Sequence, residues 1–94
     1  MIEVVCADRY EALKLTSLIQ GAGKTKVPIR KIINVFDEEV IVGLLDGSAH
    51  SITLADARQA EAFSDFMQSV LEETHLIDTA KTDGLTVTLT KKPV

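Results

Sequence analysis

The segment Gly21-Ala22-Gly23-Lys24-Thr25 ends like a phosphate-binding loop, in which backbone amides and a lysine hold phosphate oxygens. That chemistry needs a glycine five residues before the Gly-Lys pair, a strand leading in, and a helix leading out whose N-terminal amides and dipole face the anion. Leu18 stands at the first glycine position, a helical pattern leads in, and Val27-Pro28-Ile29 leads out as a strand. The helix end facing this loop is therefore the negative one, and its glycines suit a helix C-cap. Lys24, Lys26, Arg30 and Lys31 form a basic block without an acid among them, to which Thr25 adds a hydroxyl. They define an anion-binding alternative at Lys24, Thr25, Lys26, Arg30 and Lys31. Nucleic-acid binding is not expected, because no aromatic platform or helix-turn-helix pattern accompanies the cations.

Other residues offer less. Cys6 lies inside the apolar run Ile2 to Cys6 with no base beside it, as an inert buried cysteine does. His50 sits between Ser48 and Ser51, and His75 falls near the end of a long helix, where a protonated imidazole complements the dipole. Neither spacing describes a metal site or a Ser-His-acid set, so no catalytic residue, metal or cofactor is expected.

The acidic side says more. Residues 37 to 78 hold ten acids against Arg58 alone, so the molecule is electrostatically two-sided. On the long helix Glu61, Asp65 and Glu72 are separated by four and seven positions, which puts them on the face opposite Phe63, Met67 and Val70. Like charges four apart cost a helix roughly 0.2–0.5 kcal/mol. Many acidic helix faces are simply solvated; the alternative is a docking face for a basic partner.

These groups must be positioned by few elements. Residues 2 to 6 read as a strand. Asp8-x-x-Glu11 is a capping box in which the glutamate reaches back to the cap. Tyr10, Leu13, Ser17, Leu18 and Ile19 give the helix its stripe, and Gly21 stops it. Residues 27 to 36 form a β-branched strand that Pro28 places at an edge or a strand entry. After the turn 37 to 39, residues 40 to 45 are apolar enough for a central strand. Asp46-Gly47 signals a hairpin.

Thr53-x-x-Asp56 and Asp56-x-x-Gln59 are overlapping caps for a helix over about residues 54 to 75, whose core stripe is Ala60, Phe63, Met67, Val70, Leu71 and Thr74. Residues 81 to 84 read as a turn, and residues 85 to 90 alternate Leu, Val and Leu with threonines. Lys91, Lys92 and Pro93 then guard that strand as an edge. A further strand is available at residues 76 to 80, and no repeat or linker is evident.

The order β-α-β-β-β-α-β implies one α+β domain over residues 1–94. It is a mostly antiparallel sheet of four to six strands with both helices on one face. Ninety-four residues, 46% hydrophobic and 26% charged, with net charge −4, suit one ordinary globular core. A lone cysteine excludes an internal disulfide, and a cytoplasmic protein without leader or membrane span is the expectation.

The reading that follows is a non-enzymatic protein-interaction module. It is a small acidic regulator or inhibitor docking through Glu61, Asp65 and Glu72 on a basic or nucleic-acid-binding protein, by analogy of size and charge with small acidic regulators of phages and mobile elements. The alternatives are a small-anion or nucleotide-binding regulatory domain using the Gly21-Lys26 loop, and an accessory subunit of a larger complex. The threonine face and free edge of residues 85 to 90 suit a homodimer formed by strand pairing or sheet stacking.

Overall fold

A computed structural model describes residues 2–20, 29–72 and 77–91. Along the chain run β1 (Ile2–Val5), α1 (Arg9–Gln20), β2 (Ile29–Phe36), β3 (Glu39–Leu44), β4 (Ala49–Thr53), α2 (Ala57–Glu72), β5 (Ile77–Asp83) and β6 (Thr86–Lys91). The α+β class and the antiparallel pairing agree with the sequence, and the further strand expected from residue 76 is β5. The six strands divide into two three-stranded sheets, ordered β1-β6-β5 and β2-β3-β4. Helix α1 packs on β5 and β6, and α2 on β2 and β3.

Each element follows from its residues. Val40 and Val42 of β3 point to the core with Ile52 and Leu54, against Phe63, Met67 and Val70 of α2. Val4, Val87, Leu89 and Ala80 of the other sheet, with Ala12, Leu15 and Ile19 of α1, belong to the same continuous core. The β3–β4 hairpin turns at Asp46-Gly47, with Gly47 at φ 91°. Asp46 Oδ1 accepts from Ser48 N at 2.9 Å and from its hydroxyl at 2.6 Å. Those bonds, the hydroxyl's above all, hold the Asp46 carboxyl below its ordinary value.

The sheets meet where β1 and β4 end side by side, at an antiparallel bridge between Cys6 and Leu54. Ala7 N donates to Thr53 O at 3.0 Å, and Ala55 N donates to Val5 O at 2.8 Å. Asp8 Oδ1 caps α1 by accepting from Glu11 N at 2.8 Å, and Asp56 Oδ1 caps α2 by accepting from Gln59 N at 2.9 Å. Glu11 Oε1 accepts from Thr53 N at 3.0 Å, while Gln59 Oε1 accepts from Val5 N at 2.9 Å. Every bond in this set has a counterpart 48 positions away in the sequence.

The correspondence extends through the fold. Cys6 N donates to Leu85 O at 2.8 Å, and Leu54 N to Glu38 O at 2.7 Å. The turn residues Asp37 and Gly84 both have positive φ, at 53° and 63°. The β1–β6 partners Ile2↔Leu89 and Val4↔Val87 match the β4–β3 partners His50↔Val42 and Ile52↔Val40. The chain is thus two β-α-β-β halves related by an approximate twofold, each lending its first strand and helix to the hairpin of the other. Sequence offered no repeat, because few residues coincide beyond Ala7-Asp8 and Ala55-Asp56, Ala12 and Ala60, and Val40 and Val87. What repeats is burial and capping, which identity does not register.

Several sequence expectations change. Strand β6 is central, paired with both β1 and β5, so it offers no free edge for dimerisation. Alternation reports a buried face, not the number of neighbours, and β1 comes from the far end of the chain. The turn lies at Gly84-Leu85, after β5 has run to Asp83. Helix α2 spans Ala57–Glu72, and residues 73 to 76, including Thr74 and His75, lie outside the described residues. On α1 the buried face is Ala12, Leu15 and Ile19 with Glu11, while Tyr10 and Leu13 are 70% and 58% exposed. Glu11 does not reach back to its cap but crosses to Thr53, on the same side of the helix as Ala12, Leu15 and Ile19.

Candidate functional site

Strand β2 pairs with β3 on one side, and among the described residues no strand pairs with its other side. It carries two bulges, around Arg30 and Ile33, and the edge position is one of the two, edge or strand entry, expected from Pro28, which itself lies outside the described residues. Gly43 of β3 allows β2 side chains to lie across it: a Cβ there would stand 3.2 Å from Ile33 Cδ1 and 3.4 Å from Lys31 Cγ. Despite that contact Ile33 remains 48% exposed, and Val35 and Phe36 are 38% and 65% exposed.

Helix α2 runs alongside β2 in the opposite direction, leaving a shallow groove with two depressions that share Gln68. One, about 400 Å³, is bordered by Asp37, Glu61 and Asp65, with Val35 and Ser64 in its wall. The other, about 350 Å³, is bordered by Arg30, Lys31, Ile32 and Leu71. The groove is therefore anionic at the end where α2 begins and cationic at the end where β2 begins.

The residues singled out by sequence are divided by this geometry. Glu61 and Asp65 are exposed on α2 and share the anionic depression. Glu72 closes α2, and its side chain lies outside the described residues, as do Lys24, Thr25 and Lys26. Arg30 and Lys31 are exposed and share the cationic depression. Sequence did not join Asp37 to the acidic pair. It belongs to a turn 24 positions before Glu61, and only the antiparallel run of β2 beside α2 brings the two together.

Cys6 is fully buried, and burial, reinforced by the Glu11 and Asp8 carboxylates, pushes its thiol from 9.0 up to about 11. His50 is exposed on β4. Among the described residues no three His, Cys, Asp or Glu side chains are grouped to hold a metal ion, and no helix is long and apolar enough to cross a membrane. Buried Glu11 is a joint residue: its Oε2 meets Lys14 Nζ at 2.7 Å without a directed hydrogen bond, while Oε1 serves Thr53.

The twofold supplies an internal comparison. At the positions where α2 carries Glu61 and Asp65, α1 carries Leu13 and Ser17. The same helix-on-sheet packing is built in both halves, so the fold does not require carboxylates there. No family model matches the chain, and neither a curated protein nor a solved structure matches it at a significant level.

Proposed function

We propose that the protein is a non-enzymatic interaction module, a small acidic regulator or inhibitor whose anionic depression takes a basic segment of a partner protein. The observation that carries this reading is the convergence of Asp37, Glu61 and Asp65 from two elements on one depression of about 400 Å³ with no lysine or arginine in its wall. A lysine or arginine entering it meets three carboxylates, and its aliphatic stem lies against Val35. The partner's charge is set by this focusing of like charge, which speeds encounter and excludes acidic competitors more than it adds affinity.

The test is affinity capture from the native lysate with tagged wild type, with Asp37→Asn/Glu61→Lys/Asp65→Lys, and with Leu13→Lys/Ser17→Lys as the control on the corresponding face of α1. The expected result is a basic protein held by wild type and by the control, released at high salt, and absent from the triple variant. Retention of the same proteins by all three, with folding verified by circular dichroism, overturns the reading.

A further inference from the structure

The outer edge of β2, unpaired among the described residues, and the two-signed groove beside it point to one occupant, and we infer that it is a second copy of this chain, paired antiparallel through β2. The backbone donors and acceptors on the outer side of β2 have no strand partner among the described residues, and Ile33, Val35 and Phe36 remain partly exposed along it. An edge left in that state is a template for another strand.

Charge selects the strand. Arg30 and Lys31 mark one end of the groove, and Asp37, Glu61 and Asp65 the other. A twofold axis through the middle of β2, near Ile32 and Ile33, sets the cations of each copy against the carboxylates of its mate at both ends. Parallel pairing would set like against like. The two bulges and the flanking cations are devices that turn away an arbitrary flat strand. A second copy carries the same coil and the complementary charges, so the features that exclude other strands fit this one. The result is a continuous six-stranded sheet, β4-β3-β2 joined to its twofold image, with the two α2 helices on one side. This is an isologous interface, the commonest kind in homo-oligomers. It draws on the same Asp37, Glu61 and Asp65 as the partner reading above, but adds the strand edge and the cationic end of the groove, and needs no partner protein.

The experiment measures mass by light scattering and sedimentation across concentration for wild type, Arg30→Glu/Lys31→Glu and Glu61→Lys/Asp65→Lys. Wild type is expected to approach twice its 10.2 kDa chain mass. Each variant alone carries like charges at both ends and is expected to dissociate at least about 100-fold more readily. An equimolar mixture of the two variants restores complementarity and is expected to give back the dimer. For a readout that does not depend on folded variants, amide exchange across 29–36 in wild type is expected to slow as concentration rises. A wild-type mass of one chain at every concentration overturns the inference. So does a dimer unaffected by either charge reversal, or a mixture that fails to pair while both variants are folded. Mass is read on the purified chain alone, so a failure here is distinguishable from a failure to capture a basic partner from a lysate.

Discussion

Replacing Glu11 separates what the joint between the sheets needs from what a buried charge contributes. Its Oε1 accepts from Thr53 N at 3.0 Å, and its Oε2 meets Lys14 Nζ at 2.7 Å. Glu11→Ala leaves the Thr53 amide without its acceptor, a cost of about 1–3 kcal/mol, and removes an ion pair that contributes at most about 1 kcal/mol in this partly exposed setting. The expected loss is about 2 kcal/mol, equivalent to roughly 8–16 °C in Tm for a chain of this size.

Glu11→Gln keeps the acceptor and is expected to lose less than about 1 kcal/mol, mainly the ion pair and the charge at the helix N-terminus. The structure supplies the precedent, because Gln59 makes the corresponding bond to Val5 N at 2.9 Å without a charge. The assay is urea unfolding followed by circular dichroism for wild type, Glu11→Ala, Glu11→Gln, Gln59→Ala and the double alanine variant. The double variant is expected to fall short of the sum by about 0.5–1 kcal/mol, since both bonds brace one joint. If Glu11→Gln destabilises as much as Glu11→Ala, or if Glu11→Ala lies within about 0.5 kcal/mol of wild type, the crossed bonds do not hold the sheets together.

Two further outcomes follow from the same geometry. Gly84→Ala places a Cβ at φ 63° and is expected to cost about 1–2 kcal/mol, whereas Asp37→Gly, at φ 53°, is expected to change stability by less than about 0.5 kcal/mol; equal costs in urea titrations would show that the two turns are not equivalent. Cys6 is expected to resist alkylation at pH 8 in the folded protein. Because its thiol holds its proton to about 11 when folded and releases it near 9.0 when unfolded, stability relative to Cys6→Ala is fully present below pH 9 and falls between about pH 9 and 11, by about 1.4 kcal/mol per pH unit. A flat difference across that range would place the thiol in contact with water.

Local signals carried most of the element order. Asp46-Gly47 marks its hairpin because few dipeptides accept that turn, and Asp8 and Asp56 mark helix starts because each caps an amide three residues on. The core stripe of α2 was legible because Phe63, Met67 and Val70 are large and evenly spaced. The face of α1 was not, because its contact with the sheet uses Ala12 and is fixed by a polar bond from Glu11 to a strand 42 positions away. The division into two sheets depends likewise on β1 joining β6 from the opposite end of the chain. Glu61 and Asp65 were legible as a pair from helical spacing, whereas Asp37 and the paired depressions depend on which strand lies beside α2.

The two proposals share carboxylates, and mass action links them. A basic segment entering between Glu61 and Asp65 takes the place that Arg30 and Lys31 of a second copy would occupy, so the partner binds the free chain and not the dimer. At a total concentration ten times the dimer's dissociation constant, about one fifth of the chains are free, and the partner's apparent affinity falls about fivefold, or about 1 kcal/mol. By the same linkage a saturating partner dissolves the dimer. Self-pairing would then cover the β2 edge and its exposed Ile33, Val35 and Phe36 until a basic partner displaced it. One surface would serve for storage and for docking, because the carboxylates that take a basic partner are those that meet Arg30 and Lys31 of a second copy.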